Sequence, residues 1–284
     1  SQKNQIFRLT ARENQDVNGY FMCDIGRYEF HRFEEIDRVV QPMMRNGETF
    51  DALDWDEAIQ KTAKLIEQAK GKTARMGSPF HTNESNFLLG QMMAGILGSL
   101  PPIRGEEITY PSGFRISADR SPNLRGMTDI CGEIAEDLPF ELNARNICGL
   151  YILDDGVDRD LDNTWKDILA RMDFVIVQSY AMTDLAKSAH IVLPGLAPFE
   201  REGTITNDQG RVQWLRPSLP IQGEAKPDWE ILALVMKEMD PGKLPMQDIS
   251  QVMKEMGEKF PDYKGLSFFR LGSTGISLNG RHEA

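Results

Sequence analysis

Ile147-Cys148-Gly149-Leu150-Tyr151-Ile152-Leu153, Phe174-Val175-Ile176-Val177 and Ile191-Val192-Leu193 decide the fold of this chain. Each is a short, nearly continuous apolar run of strand length, and helical stretches from Trp165 to Met172 and from Thr183 to Ala189 lie between them. A strand reads as apolar throughout when helices cover both faces of its sheet; one wet face would make it alternate. The order strand, helix, strand, helix, strand therefore predicts an α/β protein with a doubly wound parallel sheet.

After these runs, Gly203, Thr204-Ile205-Thr206, Asn207-Asp208-Gln209-Gly210 and Val212-Gln213-Trp214-Leu215 read as a hairpin beside the sheet, followed by helices over residues 228–239 and 247–260. Residues 265–284 are rich in Gly and Ser without a period, which predicts an arm or disordered tail. Upstream, Asp54 is placed to cap a helix beginning at Trp55, with Glu57 at the capping-box position. Trp55, Ala58, Ile59, Thr62, Ile66 and Ala69 share its apolar face. A second, all-round apolar helix is expected after Thr82-Asn83-Glu84-Ser85, from Phe87 to Leu97, closed by Gly98. Residues 101–126 carry Pro101, Pro102, Gly105, Pro111, Gly113, Pro122 and Gly126 with little periodicity, the expected domain boundary. Ile6 to Thr10 alternates like a strand and opens a small β-rich lobe. The expected units are therefore 1–37, 38–126 (first α/β layer and long connection), 127–264 (doubly wound domain) and 265–284.

Composition narrows the function. The 284 residues carry 40% hydrophobic side chains, enough for a sizeable core. A formal net charge of −11 argues against binding nucleic-acid phosphate or anionic lipid and favours basic partners. No apolar run approaches the roughly 20 residues of a membrane-spanning helix. The first residues lack a secretory layout, so the cytoplasm is the default compartment, at the membrane's cytoplasmic face only through partner subunits.

Chemistry-bearing residues are sparse. Cys23 could ligate an iron-sulfur cluster, but one cysteine cannot hold one and no CxxC pair accompanies it, so a structural cysteine is the plainer reading. Cys131 and Cys148 read as core cysteines. His81 and His190 stand apart from any nucleophile motif. Neither GxGxxG opening a helix nor GxxxxGK[ST] occurs. The 14 methionines read as adaptable core packing. Asp154-Asp155 and Asp158-Arg159-Asp160 lack calcium-loop spacing and read as solvated loop.

Longer motifs add a resemblance. Val17-Asn18-Gly19-Tyr20-Phe21-Met22-Cys23-Asp24-Ile25-Gly26-Arg27 resembles the segment that ends the iron-sulfur lobe of the molybdopterin oxidoreductase superfamily, especially its complex I branch, the large iron-sulfur subunit of NADH:quinone oxidoreductase. Arg38, Pro42, Arg45 and Gly47 before Trp55-Asp56-Glu57-Ala58 look like the start of that family's first α/β layer, and Ser121-Pro122-Asn123-Leu124-Arg125-Gly126 like its SPNxRG turn. Ala189-His190-Ile191-Val192-Leu193-Pro194, Glu200, Gly203-Thr204, Asn207 and Gly210-Arg211-Val212-Gln213 are similar to its most specific series.

The resemblance implies a degenerate molybdopterin-oxidoreductase-like fold. Catalytic members carry several hundred more residues that enclose two pterin dinucleotides, and the space between Leu97 and Asn146 is too short for them. The expectation is thus no molybdopterin, and a non-catalytic structural subunit of an NADH-linked electron-transfer complex that positions iron-sulfur and flavin/NADH-binding subunits. The alternative is a molybdopterin-dependent oxidoreductase of the formate dehydrogenase type, or part of a soluble hydrogenase or dehydrogenase complex. Cys23 aligns with the fourth ligand of a 4Fe-4S cluster whose other cysteines would lie before Ser1 or in a partner; otherwise it is a relic.

Overall fold

A computed structural model of the chain describes residues 5–93, 95–111, 115–131, 134–158, 161–242 and 246–278. Its centre is a seven-stranded sheet. In chain order the strands are β1 (Met43–Asn46), β2 (Thr49–Ala52), β3 (Thr73–Gly77), β4 (Leu97–Ser99), β5 (Ile108–Thr109), β6 (Arg115–Ile116), β7 (Gly149–Leu153), β8 (Phe174–Ser179), β9 (Ile191–Pro194), β10 (Gly203–Thr206), β11 (Arg211–Leu215) and β12 (Ile276–Ser277). The sheet runs β2-β1-β9-β8-β7-β3-β4; β9, β8, β7, β3 and β4 are parallel, and β1 joins β9 antiparallel as the inner arm of a hairpin with β2. The three decisive runs are the adjacent central strands, buried along their whole length as their composition requires.

Neighbouring side chains on each strand point to opposite faces, so every strand feeds two cores. Leu150, Ile152, Val175, Val177 and Val192 pack with Leu138, Leu142, Ile168 and Leu185 on one face. Tyr151, Leu153, Ile176, Ile191 and Leu193 meet Ile59, Ile66, Phe87, Leu88, Ile231, Val235 and Val252 on the other. Each buried Leu, Ile or Val side chain stabilises this arrangement by roughly 1.5–3 kcal/mol relative to exposure.

The helix Trp55–Gln68 forms as expected: the Asp54 carboxylate accepts the Glu57 N–H, and Ala58, Ile59, Thr62 and Ile66 are buried. Asp162, Thr183 and Asp248 cap later helices the same way. The hairpin forms as β10 and β11, and the late helices span Asp228–Met239 and Ile249–Lys259.

Four expectations need correction. The helix expected to reach Leu97 spans Asn83–Met92; Met93 is extended, and Leu97–Ser99 enters the sheet as β4. A fully apolar segment looks alike in a buried helix and a buried strand, and here the sheet edge captured its end. Residues 5–37 contain no strand: the helices Asp24–Tyr28 and Arg32–Glu35 and an isolated Asn14–Gly19 bridge stand where a β-rich lobe was expected. Ile6–Thr10 alternates but pairs with no strand among the described residues. The boundary drawn at residue 126 does not divide the sheet, because β3 and β4 from before it lie beside β7 from after it. Within the expected tail, residues 265–278 are packed: Leu271 and Leu278 are buried, and β12 pairs with β11. Ala94, Gly113, Arg159, Asp160 and residues 279–284 lie outside the described residues.

Candidate functional site

In an open α/β sheet, ligand-binding groups gather outside the carboxyl ends of the strands. Here Ser78 and His81 follow β3, Asp154 and Asp155 follow β7, Gln178 and Ser179 end β8, and Arg201 follows β9; all are buried.

Asp228, in the first turn of the helix Asp228–Met239, anchors one half of the site. Its Oδ1 accepts the Gln178 amide at 2.8 Å and its Oδ2 lies 3.0 Å from Arg201 Nε and 3.5 Å from His81 Nδ1. Gln178 also accepts the Tyr151 hydroxyl at 2.8 Å. Burial alone would raise the Asp228 pKa, but the Arg201 guanidinium and His81 outweigh it and hold the carboxyl down at about 2. The His81 Nε2 lies 3.0 Å from the Asp154 carbonyl, so that nitrogen is the donor. Every nitrogen of the Arg201 guanidinium has a partner within the chain, since it also donates to the carbonyls of Leu196 and Phe80.

The other half is built on Asp154 and Asp155, whose reading as solvated loop is corrected: they are 0% and 3% exposed. Asp154 Oδ2 accepts the hydroxyls of Ser179 at 2.8 Å and Thr183 at 2.7 Å, and Asp155 Oδ2 accepts that of Ser78 at 2.8 Å. Two acids in sequence look like surface. Their place directly after an apolar strand was the signal that they end a parallel strand instead. Asp158, by contrast, is exposed and accepts the Asp184 N–H.

Motifs far apart in sequence meet beside this cluster. Glu84 takes the Thr204 N–H and hydroxyl, each at 2.8 Å, and Asn83 donates to the hydroxyls of Thr204 and Thr206. Asn123 donates to the His81 carbonyl and accepts the Thr206 N–H at 2.7 Å. Gly203 permits the approach: a Cβ there would lie 2.6 Å from the Thr82 methyl and 2.8 Å from Glu84 Oε2. Arg38 makes a bidentate contact with Glu200 at 3.0 and 2.9 Å. Glu84, Arg201, Gln178 and Asp228 were not singled out from sequence as site residues, because nothing local marks a polar residue whose partners lie 27 to 120 positions away.

The sequence candidates are scattered. Cys23 is exposed, and its sulfur accepts the Gly26 N–H at 3.4 Å. Cys131 is largely enclosed against the Asn86 carbonyl, and burial pushes its thiol up to about 12. Cys148 precedes β7 at the opposite, amino end of the sheet. His190 is also there, where Nδ1 accepts the Val175 N–H at 2.9 Å and pins β8 to β9; burial and then Arg45 lower its pKa. Among the described residues no group of three or more His, Cys, Asp or Glu side chains is arranged to hold a metal ion, and no helix is long and apolar enough to cross a membrane.

Residues 136–238 match the family described as molybdopterin oxidoreductase. The F420-dependent formate dehydrogenase 2 subunit alpha of Methanococcus maripaludis is 34% identical over 188 residues, covering 63% of this chain and 27% of that protein. A putative formate dehydrogenase of Staphylococcus haemolyticus is 34% identical over 238 residues, covering 76% of this chain and 24% of that protein. The chain thus spans about a quarter of the length of these relatives. Acetylene hydratase from Pelobacter acetylenicus shares the fold, with a TM-score of 0.57 at 10% identity over 92% of this chain and 69% of that one. The expected family is therefore met, whereas these relatives carry formate dehydrogenase names and lend the complex I branch no support. The expectation of no molybdopterin runs against a family named for that group.

Whether the strand ends described here suit a pterin dinucleotide is a separate matter of chemistry. An anionic pyrophosphate calls for free N–H groups and cations. The strand ends instead present the buried Asp154 and Asp155, their basic residue Arg201 is spent, and the Tyr180 ring closes over Gly156, where a Cβ would lie 2.2 Å from that ring. These residues do not fit the group.

Proposed function

We propose, from the premise that this chain belongs to the molybdopterin oxidoreductase family, that it forms the α/β core of an oxidoreductase subunit of the formate dehydrogenase type within a multi-subunit electron-transfer assembly. Its own contribution is to hold that core rigid, and the pterin is not seated on its strand ends. The observation carrying this reading is the buried polar network around Asp228, Arg201 and Asp154: Arg201 pairs with Asp228 and donates to the carbonyls of Leu196 and Phe80, and Asp154 takes the hydroxyls of Ser179 and Thr183, which makes a stiff platform and turns the guanidinium away from a substrate carboxylate. The formate dehydrogenase names of the relatives, one of them a subunit alpha, support the assembly and its substrate class.

A second reading, a scaffold in an NADH-linked assembly of the complex I kind, is supported by the exposure of Cys23, which leaves its thiol open to a neighbouring chain that would supply the other ligands of a 4Fe-4S cluster. Anaerobic purification of the native assembly through a tag on this chain, followed by formate- and NADH-dependent viologen reduction, separates the two. The formate dehydrogenase reading expects formate-dependent reduction by the assembly. NADH-dependent reduction without any response to formate would replace it with the second.

A further inference from the structure

Glu84 presents a separate chemistry, independent of how the assembly is read. It lies in the first turn of the helix Asn83–Met92 and is 0% exposed. Both carboxylate oxygens are enclosed by neutral donors: Thr204 supplies its N–H to Oε2 and its hydroxyl to Oε1, and Thr82 stands beside them.

The charged groups of the surrounding elements are engaged elsewhere. His81 and Arg201 face Asp228 at the start of one neighbouring helix, where Lys226 pairs with Glu230 near the surface. Arg125 pairs with Asp129 on the helix Leu124–Cys131. Arg75 on β3 donates to the carbonyls of Leu89, Gly90 and Gly95. On the helix Ile249–Lys259, the Lys254–Glu258 pair is exposed. Tyr263 reaches Thr206 and Asp129, not the carboxyl.

An ionised carboxylate without a cation in such a place is penalised by lost hydration, whereas the protonated carboxyl satisfies the same partners with its O–H turned toward Thr204 Oγ1. We propose that Glu84 is a reversible proton-binding site whose occupancy sets how firmly the β10–β11 hairpin is latched onto the helix Asn83–Met92. One proton is taken up at a carboxylate oxygen, no other covalent bond changes, and the Thr204 hydroxyl turns from donor to acceptor toward Glu84. Because Asn83 donates to the hydroxyls of both Thr204 and Thr206, and Thr206 contacts the Tyr263 hydroxyl at 3.0 Å, a turn of the Thr204 hydroxyl is felt along β10. Burial first of all raises the Glu84 pKa to about 7 from 4.5, with the Thr204 and Thr82 hydrogen bonds only partly opposing it. A raised pKa in the folded state gives stability that is complete below the unfolded value and lost as pH rises through the folded one.

The test is a carboxyl-carbon NMR titration of the wild-type chain, the Glu84 resonance assigned through its own backbone and checked against Glu84→Gln, together with hydrogen-exchange protection of the Thr204 and Thr206 amides. The expected result is a midpoint near 7 and protection that falls about tenfold between about pH 6 and about pH 8. In Glu84→Gln, protection should be flat over that interval. A midpoint at the ordinary glutamate value of 4.5, or wild-type protection independent of pH, would overturn it. The wild-type titration decides even if the variant fails to fold.

Discussion

The two ends of the parallel strands are built from the same kinds of residue put to opposite use. At the carboxyl ends, His81, Asp154, Asp155, Arg201 and Asp228 are buried and bonded to one another or to hydroxyls and carbonyls. At the amino ends, Lys72 and Asp173 are exposed, Cys148 and His190 are half-buried, and the polar contacts join neighbouring backbone. Polar groups at a wet edge are interchangeable with water, whereas each polar group at the dry end depends on a particular partner. The dry end therefore specifies the arrangement of loops on the sheet, and the wet end merely finishes the strands.

If that contrast is right, the largest effect comes from Arg201→Ala, which leaves Asp228 buried without its guanidinium. Urea unfolding should show a loss of about 3–5 kcal/mol. A loss under about 1 kcal/mol would mean that water replaces the arginine and the end is not dry. Next comes Gly156→Ala, forced to φ +70° against the Tyr180 ring and expected to lose about 3 kcal/mol. Tyr180→Ala in the same chain should recover part of that loss, and strict additivity would mean the ring does not close the loop.

Acid sharpens the contrast further. Asp228 has its folded pKa depressed from 3.8 to about 2, so its contribution is present above the unfolded value and lost as pH falls toward 2. Stability of the wild type should decline by on the order of 2 kcal/mol more than that of Asp228→Asn across that window, measured by denaturant titration at each pH. The smallest effect belongs to the amino end, where His190→Ala removes one acceptor for the Val175 N–H and should cost about 1 kcal/mol.

The same contrast explains what could be read from the sequence. The central strands were legible because burial on both faces forces apolar residues at every position, and the cap at Asp54 because it acts on an N–H only three residues on. Leu97–Ser99 was misassigned because an apolar run carries no period to separate helix from strand. The dry end was invisible for another reason. Asp154-Asp155 looks like surface until Ser78, Ser179 and Thr183 are brought to it, and Glu84 acquires meaning only once β10 is laid across it, 120 residues later in the chain.

On the proposed reading the chain's own side chains close the strand ends, and no pterin is seated there. Molybdenum, tungsten and oxidised-pterin content, measured on this chain separated under native conditions and on the anaerobic assembly it comes from, is the decisive measurement. The expected result is none of the three at stoichiometric level in the separated chain, whatever the assembly holds. One molybdenum or tungsten with its pterin per separated chain would contradict it.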